Sequence, residues 1–221
     1  MIDWLIDVYV CGTVCQYCTL DVAFLLDSST KSTAYAWSQI LTYTNSLIAR
    51  YNIYSNCVRV AVITYSDSAA VKIRINQYGD RSSLQQAVLQ LRLLNGGSNL
   101  ANAMNLLSTQ VFTGNDPRRV AIVVTDQLQS SQQLTTAVDN VKSQDVRIIA
   151  VGVTGPERVN MNILRGISTN NNTVTVNDYN QLESTVDRVA SEWGCFPPPD
   201  VSPTPRMCYF TCFSIFYGRA R

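Results

Sequence analysis

The 221-residue chain contains no histidine. That removes the usual neutral-pH general base and all imidazole metal ligation in one step. Gly-x-Gly-x-x-Gly, a P-loop and Gly-x-Ser-x-Gly are also missing, so neither a nucleotide cradle nor a nucleophile elbow supports an enzyme. No apolar run approaches the ~18 residues of a membrane span. Neither sign of charge dominates: 17 Lys and Arg face 16 Asp and Glu, for a net charge of +1. The signs are well mixed along the chain, which argues against a nucleic-acid surface or a polybasic membrane patch. There is no internal repeat, and Asn171-Asn172-Thr173 is the one glycosylation sequon.

Against these absences stand an ordinary apolar fraction of 46% and seven cysteines. The length allows one good-sized domain with extra segments. The cysteines flank the centre: Cys11, Cys15 and Cys18 precede it, Cys195, Cys208 and Cys212 follow it, and Cys57 lies within. Such placement suggests disulfide staples in an oxidising compartment, with the odd thiol free or paired to another chain. Cys11, Cys15 and Cys18 offer three thiols without a clear fourth partner, which fits disulfides better than zinc. The N-terminus reads poorly as a signal peptide, because Asp3 and Asp7 interrupt it and no basic region precedes them. A fragment of a longer secreted protein is the expectation.

Three segments follow. Residues 1–18 are a Cys-bearing N-terminal segment or the tail of a preceding module. Residues 19–195 form the domain. Residues 196–221 are a linker, carrying Pro197-Pro198-Pro199, Pro203 and Pro205, with a short Cys-bearing tail.

Within the domain, Val22 to Leu26 is a continuous apolar run, as in a strand buried on both faces, and Asp27 ends it. Trp37, Ile40, Leu41, Thr44, Leu47, Ile48 and Tyr51 recur at helical spacing. Val58–Tyr65 and Ala70–Ile75 are separated only by a Ser66-Asp67-Ser68 turn, so they pair antiparallel. In the second of these, Val71, Ile73 and Ile75 alternate with Lys72 and Arg74, suiting an edge strand with one wet face. Helices opening at Ser82-Ser83 and after Asn95-Gly96-Gly97-Ser98-Asn99 come next. A buried strand then runs from Arg119 to Thr125, with Asp126 at its end. A helix through Leu134 and Val141, a strand at Val146–Val153, a short helix near Val159–Ile167 and a strand at Val174–Val176 follow. Asp178 caps a last helix through Tyr179, Leu182, Val186, Val189 and Trp193. Strands alternating with helices predict an α/β, doubly wound, mostly parallel six-stranded sheet, with one antiparallel edge strand and helices on both faces.

In the strand order 3-2-1-4-5-6 the first strand neighbours the fourth at the switch point, where ligands bind beyond the strands' carboxyl ends. Asp27 and Asp126 therefore face one crevice, joined by Ser29 and by Ser98 from the Gly-Gly loop. Oxygen donors from several loops suit a hard cation such as Mg²⁺. The competing reading makes Asp27 and Asp126 loop caps, and Ser29 and Ser98 helix N-caps.

Asp27-x-Ser29, Gly96-Gly97-Ser98-Asn99 and Val124-Thr125-Asp126 occur in this order on these elements. The chain from about Leu20 to Cys195 thereby resembles the von Willebrand factor type A domain, the fold shared by integrin inserted domains, matrilins and type VI collagen. The resemblance implies a metal-ion-dependent adhesion site, read as Asp-x-Ser-x-Ser, Thr and Asp, usually followed by Gly. Here Lys31 replaces the second Ser, Ser98 replaces the Thr while keeping its hydroxyl, and Gln127 replaces the Gly, a change that need not disturb a ligand. An ammonium near Asp27 and Asp126 competes with Mg²⁺, so Mg²⁺ binding is expected to be weak or absent. Ser32 is the nearest substitute oxygen.

The resemblance further implies a non-enzymatic, secreted module that binds an extracellular-matrix protein, collagen among the candidates, at the C-terminal edge of the sheet. The alternatives are a Mg²⁺-dependent integrin-like adhesion domain and an intracellular type A domain of a multiprotein complex. A bridge between Cys18 and Cys195 is expected, as similar domains often carry one at their termini. Cys18 precedes the first strand, and the last helix returns to that same edge. The other pairing joins Cys18 to Cys11 or Cys15, and Cys195 to Cys208 or Cys212.

Overall fold

The computed structural model describes residues 19–29, 33–51, 53, 58–114, 118–154 and 159–192. Lys31, Ser32 and all seven cysteines lie outside them, so the expected place of Lys31 and the Cys18–Cys195 bridge are not described.

Six strands form one sheet: β1 (Leu20–Asp27), β2 (Val58–Tyr65), β3 (Ala69–Ile73), β4 (Arg118–Thr125), β5 (Val146–Val153) and β6 (Thr173–Val176). Their order is β3-β2-β1-β4-β5-β6. All neighbours are parallel except β2 and β3, as the short Ser66–Ser68 turn requires. Every residue of β1 is buried, which accounts for its unbroken apolar run: a central strand has no wet face.

Alternation along the strands divides the core in two. Val22, Phe24 and Leu26 pack with α1 (Ala34–Ala49), α2 (Arg81–Leu89) and, near the chain's end, a 3₁₀ segment (Tyr179–Thr185). Ala23 and Leu25 face α3 (Leu100–Leu106), α4 (Gln132–Lys142) and α5 (Met161–Ile167). The closing helix α6 (Val186–Ser191) packs on the first side through Val186, Val189 and Ala190. The expected α1 stripe is buried, and Tyr43 adds to it, its hydroxyl 3.0 Å from Thr185 Oγ1.

Two local readings are corrected. The pairing of β2 with β3 shifts register, Val62 facing Ile73 and Ile63 facing Val71. An extra residue at such a bulge sends the following side chains to the opposite face. Ile73 consequently packs with the α1 side, whereas Val71 and Ile75 lie against the α3 side. The helix caps also differ. Thr33 Oγ1 accepts the Ala36 amide at the start of α1, and Asn99 Oδ1 accepts the Asn102 amide at the start of α3. Ser29 and Ser98 are thus not the helix N-caps, which leaves their hydroxyls for other partners.

Candidate functional site

β1 delivers Asp27 to the C-terminal edge of the sheet, opposite Tyr65 of β2. On its other side Leu26 pairs with Val124, so Thr125 stands beside Asp27. Asp27, Tyr65 and Thr125 share the strand parity of Leu25, Ile63 and Val123, and so leave the sheet toward the α3 side.

The Gly-Gly loop brings the next donor. Asn95 and Gly96 adopt left-handed conformations, with φ of 62° and 99°. The Gly97 amide donates to Asp67 Oδ1 at 2.7 Å, and the Asn99 amide donates to the Ser66 carbonyl at 2.8 Å. A Cβ on Gly96 would lie 2.3 Å from Asp67 Oδ2. Glycine is therefore needed twice at Gly96, for its φ and for the close approach of the carboxylate that straps the loop. The strap aims Ser98, whose Oγ donates to Asp27 Oδ2 at 2.8 Å.

Asp27 gathers further donors. The Ser29 amide reaches Oδ1 at 3.1 Å and Thr125 Oγ1 reaches Oδ2 at 2.9 Å. The single Thr125 proton is shared between that carboxylate and the Gln127 carbonyl 2.7 Å away. Ser28 Oγ accepts the Leu94 amide at 2.6 Å and ties the β1 exit to the segment that leads into the Gly-Gly loop. Burial, the largest influence, pushes the Asp27 carboxyl up to about 6; the Ser98 hydrogen bond opposes the rise, the Asp126 charge adds to it, and Thr125 and Ser29 oppose it. Burial likewise holds the Tyr65 phenol well above its usual range.

β4 ends at Thr125, one residue before Asp126. Asp126 Oδ2 accepts the Tyr179 hydroxyl at 2.7 Å. Its Oδ1 is buried and has no hydrogen-bond partner among the described residues. Gln127 Nε2 donates to Ser29 Oγ at 2.8 Å. Of the residues expected from the sequence, Asp27, Ser29 and Ser98 thus meet at one edge of the sheet, joined directly or through Thr125 and Gln127, and Asp126 stands near enough for its charge to act on Asp27.

Thr125 and Gln127 stand in the motif but were given no part in the site, and Tyr179 was not expected there. Thr125 was legible from strand parity, since it lies two residues beyond Val123. Gln127 was read as a replacement that need not disturb a ligand, and Tyr179 carried no signal, reaching the site from 53 positions away. Asn171 lies elsewhere, exposed on the left-handed turn before β6.

The donor set fits a hard divalent cation. It offers two carboxylates and two hydroxyls, and one buried carboxylate oxygen lacks a donor among the described residues. Among the described residues no cluster of three or more His, Cys, Asp or Glu exists, so any cation here depends on the serine hydroxyls. The competing element is Gln127, whose amide already engages Ser29 Oγ.

A sequence profile described as the von Willebrand factor type A domain matches residues 21–188. Human matrilin-3 is 25% identical over 215 residues, covering 93% of this chain and 43% of that protein. The human collagen alpha-6(VI) chain is 25% identical over 178 residues, covering 78% of this chain and 8% of that one. The transmembrane cell adhesion receptor mua-3 of Caenorhabditis elegans is 26% identical over 203 residues, with 87% and 5% covered. The chain spans less than half the length of each of these relatives. Among solved structures, proximal thread matrix protein 1 of the mussel byssus superimposes with a TM-score of 0.74 at 18% identity, over 82% of this chain and 47% of that one. A second structure of the same protein, described with a zinc-occupied MIDAS motif, also gives 0.74, over 80% and 46%. Those two likenesses bear on the fold. The profile spans most of the sequence and includes the strands and loops that build the Asp27 site, and on that match the chain belongs to the von Willebrand factor type A family.

Proposed function

We propose that this chain is a non-enzymatic protein-binding module of a secreted extracellular-matrix or adhesive protein, and that its partner docks at the C-terminal edge of the sheet. The observation that carries the reading is Asp126 Oδ1, a buried carboxylate oxygen with no hydrogen-bond partner among the described residues. It stands beside an Asp27 carboxyl that burial and the Asp126 charge make costly to ionise. Such a pair is stabilised by a cation. Asp27, Ser29, Ser98 and Asp126 would hold it, with Mg²⁺ the suited ion and weak affinity expected. When bound, the cation offsets the two carboxylates and offers an acidic group of a partner a positive charge. Asp67 fixes the loop that carries Ser98, Tyr179 holds one oxygen of Asp126, and Gln127 competes for Ser29.

Matrix proteins among the relatives support the extracellular setting, and collagen is the first partner to test. The zinc-occupied motif of the mussel thread protein supports a cation in this position. The domain is assigned to residues 19–195, and the exposed Asn171 is the assigned glycan acceptor. The enzyme reading has no histidine base to call on.

The experiment is surface plasmon resonance of the full chain over immobilised fibrillar collagen, in Mg²⁺ and in EDTA. Binding that falls in EDTA and is lost in Asp126→Ala supports the reading. Binding indifferent to both changes would place the partner face elsewhere.

A further inference from the structure

The balanced whole-chain charge hides a local cluster at the opposite edge of the sheet. Arg118 and Arg119 open β4, Arg147 is the second residue of β5, and Lys142 ends α4. Together they line a cleft of about 400 Å³, within the range of small-ligand sites. Arg119 pairs with Val146, and Val120 with Arg147, so by strand parity Arg118 and Arg147 leave one face of the sheet and Arg119 the other, toward α4 and Lys142, and the four meet only where the cleft wraps the sheet edge. Asp145 is the one carboxylate among the described residues lining the cleft, which leaves these with an excess of three positive charges.

None of these cations makes an ion pair among the described residues, and only Lys142 feels a nearby carboxylate, that of Asp139 on its own helix. The ion pairs found there join Arg50 to Asp187 and Arg59 to Asp21. Lys142 Nζ donates to the Gly166 carbonyl at 2.7 Å, and Arg147 donates to the Glu192 carbonyl. These contacts hold the side chains in place without neutralising them. Arg119 lies over the Phe112 ring, 5.8 Å from its centroid, and its Nη2 is buried without a hydrogen-bond partner among the described residues. Three guanidinium forks and an ammonium around a concave surface match tetrahedral oxyanions that repeat along a chain.

We propose that this cleft binds a sulfated glycosaminoglycan segment. Sulfates would engage Arg118 and Arg147 on one side of the edge and Lys142 on the other, with Arg119 adding its charge from the α3 side, while Asn170 at the cleft offers a partner for sugar hydroxyls. Among the described residues no aromatic side chain lines the cleft, which leaves it without the stacking platform that single-stranded nucleic acid needs. The choice of a sulfated sugar rests on the extracellular setting proposed above. The site itself is independent of the cation edge.

The test is calorimetric titration of the full chain with a heparin tetrasaccharide, its desulfated counterpart and a Glu-rich peptide, across a salt series. The expected result is binding of the sulfated sugar alone, weakening steeply with salt as counterions are displaced. The double variant R118A/R147A should bind about tenfold more weakly, through loss of two charge-assisted contacts. R118E/R147E should abolish binding. Both side chains are exposed, so the thermal midpoint should hold in each variant. Asp126→Ala should leave sugar binding unchanged, which separates this site from the collagen test. Equal binding of the desulfated sugar, preference for the acidic peptide, wild-type affinity in both double variants, or no binding of any probe would overturn the proposal.

Discussion

Neutralising Asp27 should change how stability depends on pH. The folded state raises this carboxyl from 3.8 to about 6. Between those values the folded chain holds a proton that the unfolded chain has released. The contribution is therefore fully present below 3.8, is lost as pH rises through about 6, and stays lost above it. A rise of about 2 units at 1.36 kcal/mol each makes the loss on the order of 3 kcal/mol. Against the ~5–15 kcal/mol of a typical domain that is a large share. Urea denaturation in EDTA at a series of pH values measures it, with Asp27→Asn as the reference lacking this titration. The stability of the wild type relative to the variant should fall by about 3 kcal/mol from about pH 4 to about pH 7. Adding Mg²⁺ at neutral pH should recover part of it, since a cation offsets the charge. A difference that stays flat, or rises with pH, would refute the reasoning that burial dominates at Asp27.

Three further outcomes are expected. Gly96→Ala forces a Cβ to within 2.3 Å of Asp67 Oδ2 at a φ of 99°, and should lower the urea-derived stability by about 1–3 kcal/mol; an unchanged midpoint would contradict the strap. Gln127→Gly releases Ser29 Oγ and should strengthen Mg²⁺ binding in calorimetry, as should Lys31→Ser; unaltered affinity in both would remove these residues as competitors. Peptide mapping without reduction should recover Cys18 and Cys195 in one disulfide-linked peptide; finding them in separate linked peptides would refute that pairing.

The central strands were legible because burial on both faces leaves a continuous apolar run, as in Val22–Leu26 and Val120–Val124. Chain order then placed Asp27 beside the end of β4, since a parallel sheet of this winding brings its first and fourth strands together. Ile73 escaped because simple alternation carries no mark of a bulge, and the register shift against Val62 and Ile63 reverses its face. The caps escaped because Thr33 and Asn99 stand near other residues able to cap, and only backbone geometry selects among them. Gln127 read as a neutral replacement for glycine. Its long amide instead folds back onto Ser29, a contact set by loop conformation rather than residue type. Tyr179 reaches Asp126 only through the docking of the final 3₁₀ segment.

The central claim is that Asp27, Ser29, Ser98 and Asp126 act as one cation-dependent site at the C-terminal edge of the sheet. Backbone amide chemical shifts followed during a Mg²⁺ titration test it most directly. The account predicts weak, saturable shifts centred on residues 27–29, 96–98 and 125–127, lost in Asp126→Ala. Shifts centred elsewhere, or shifts at these residues that persist in that variant, would contradict it.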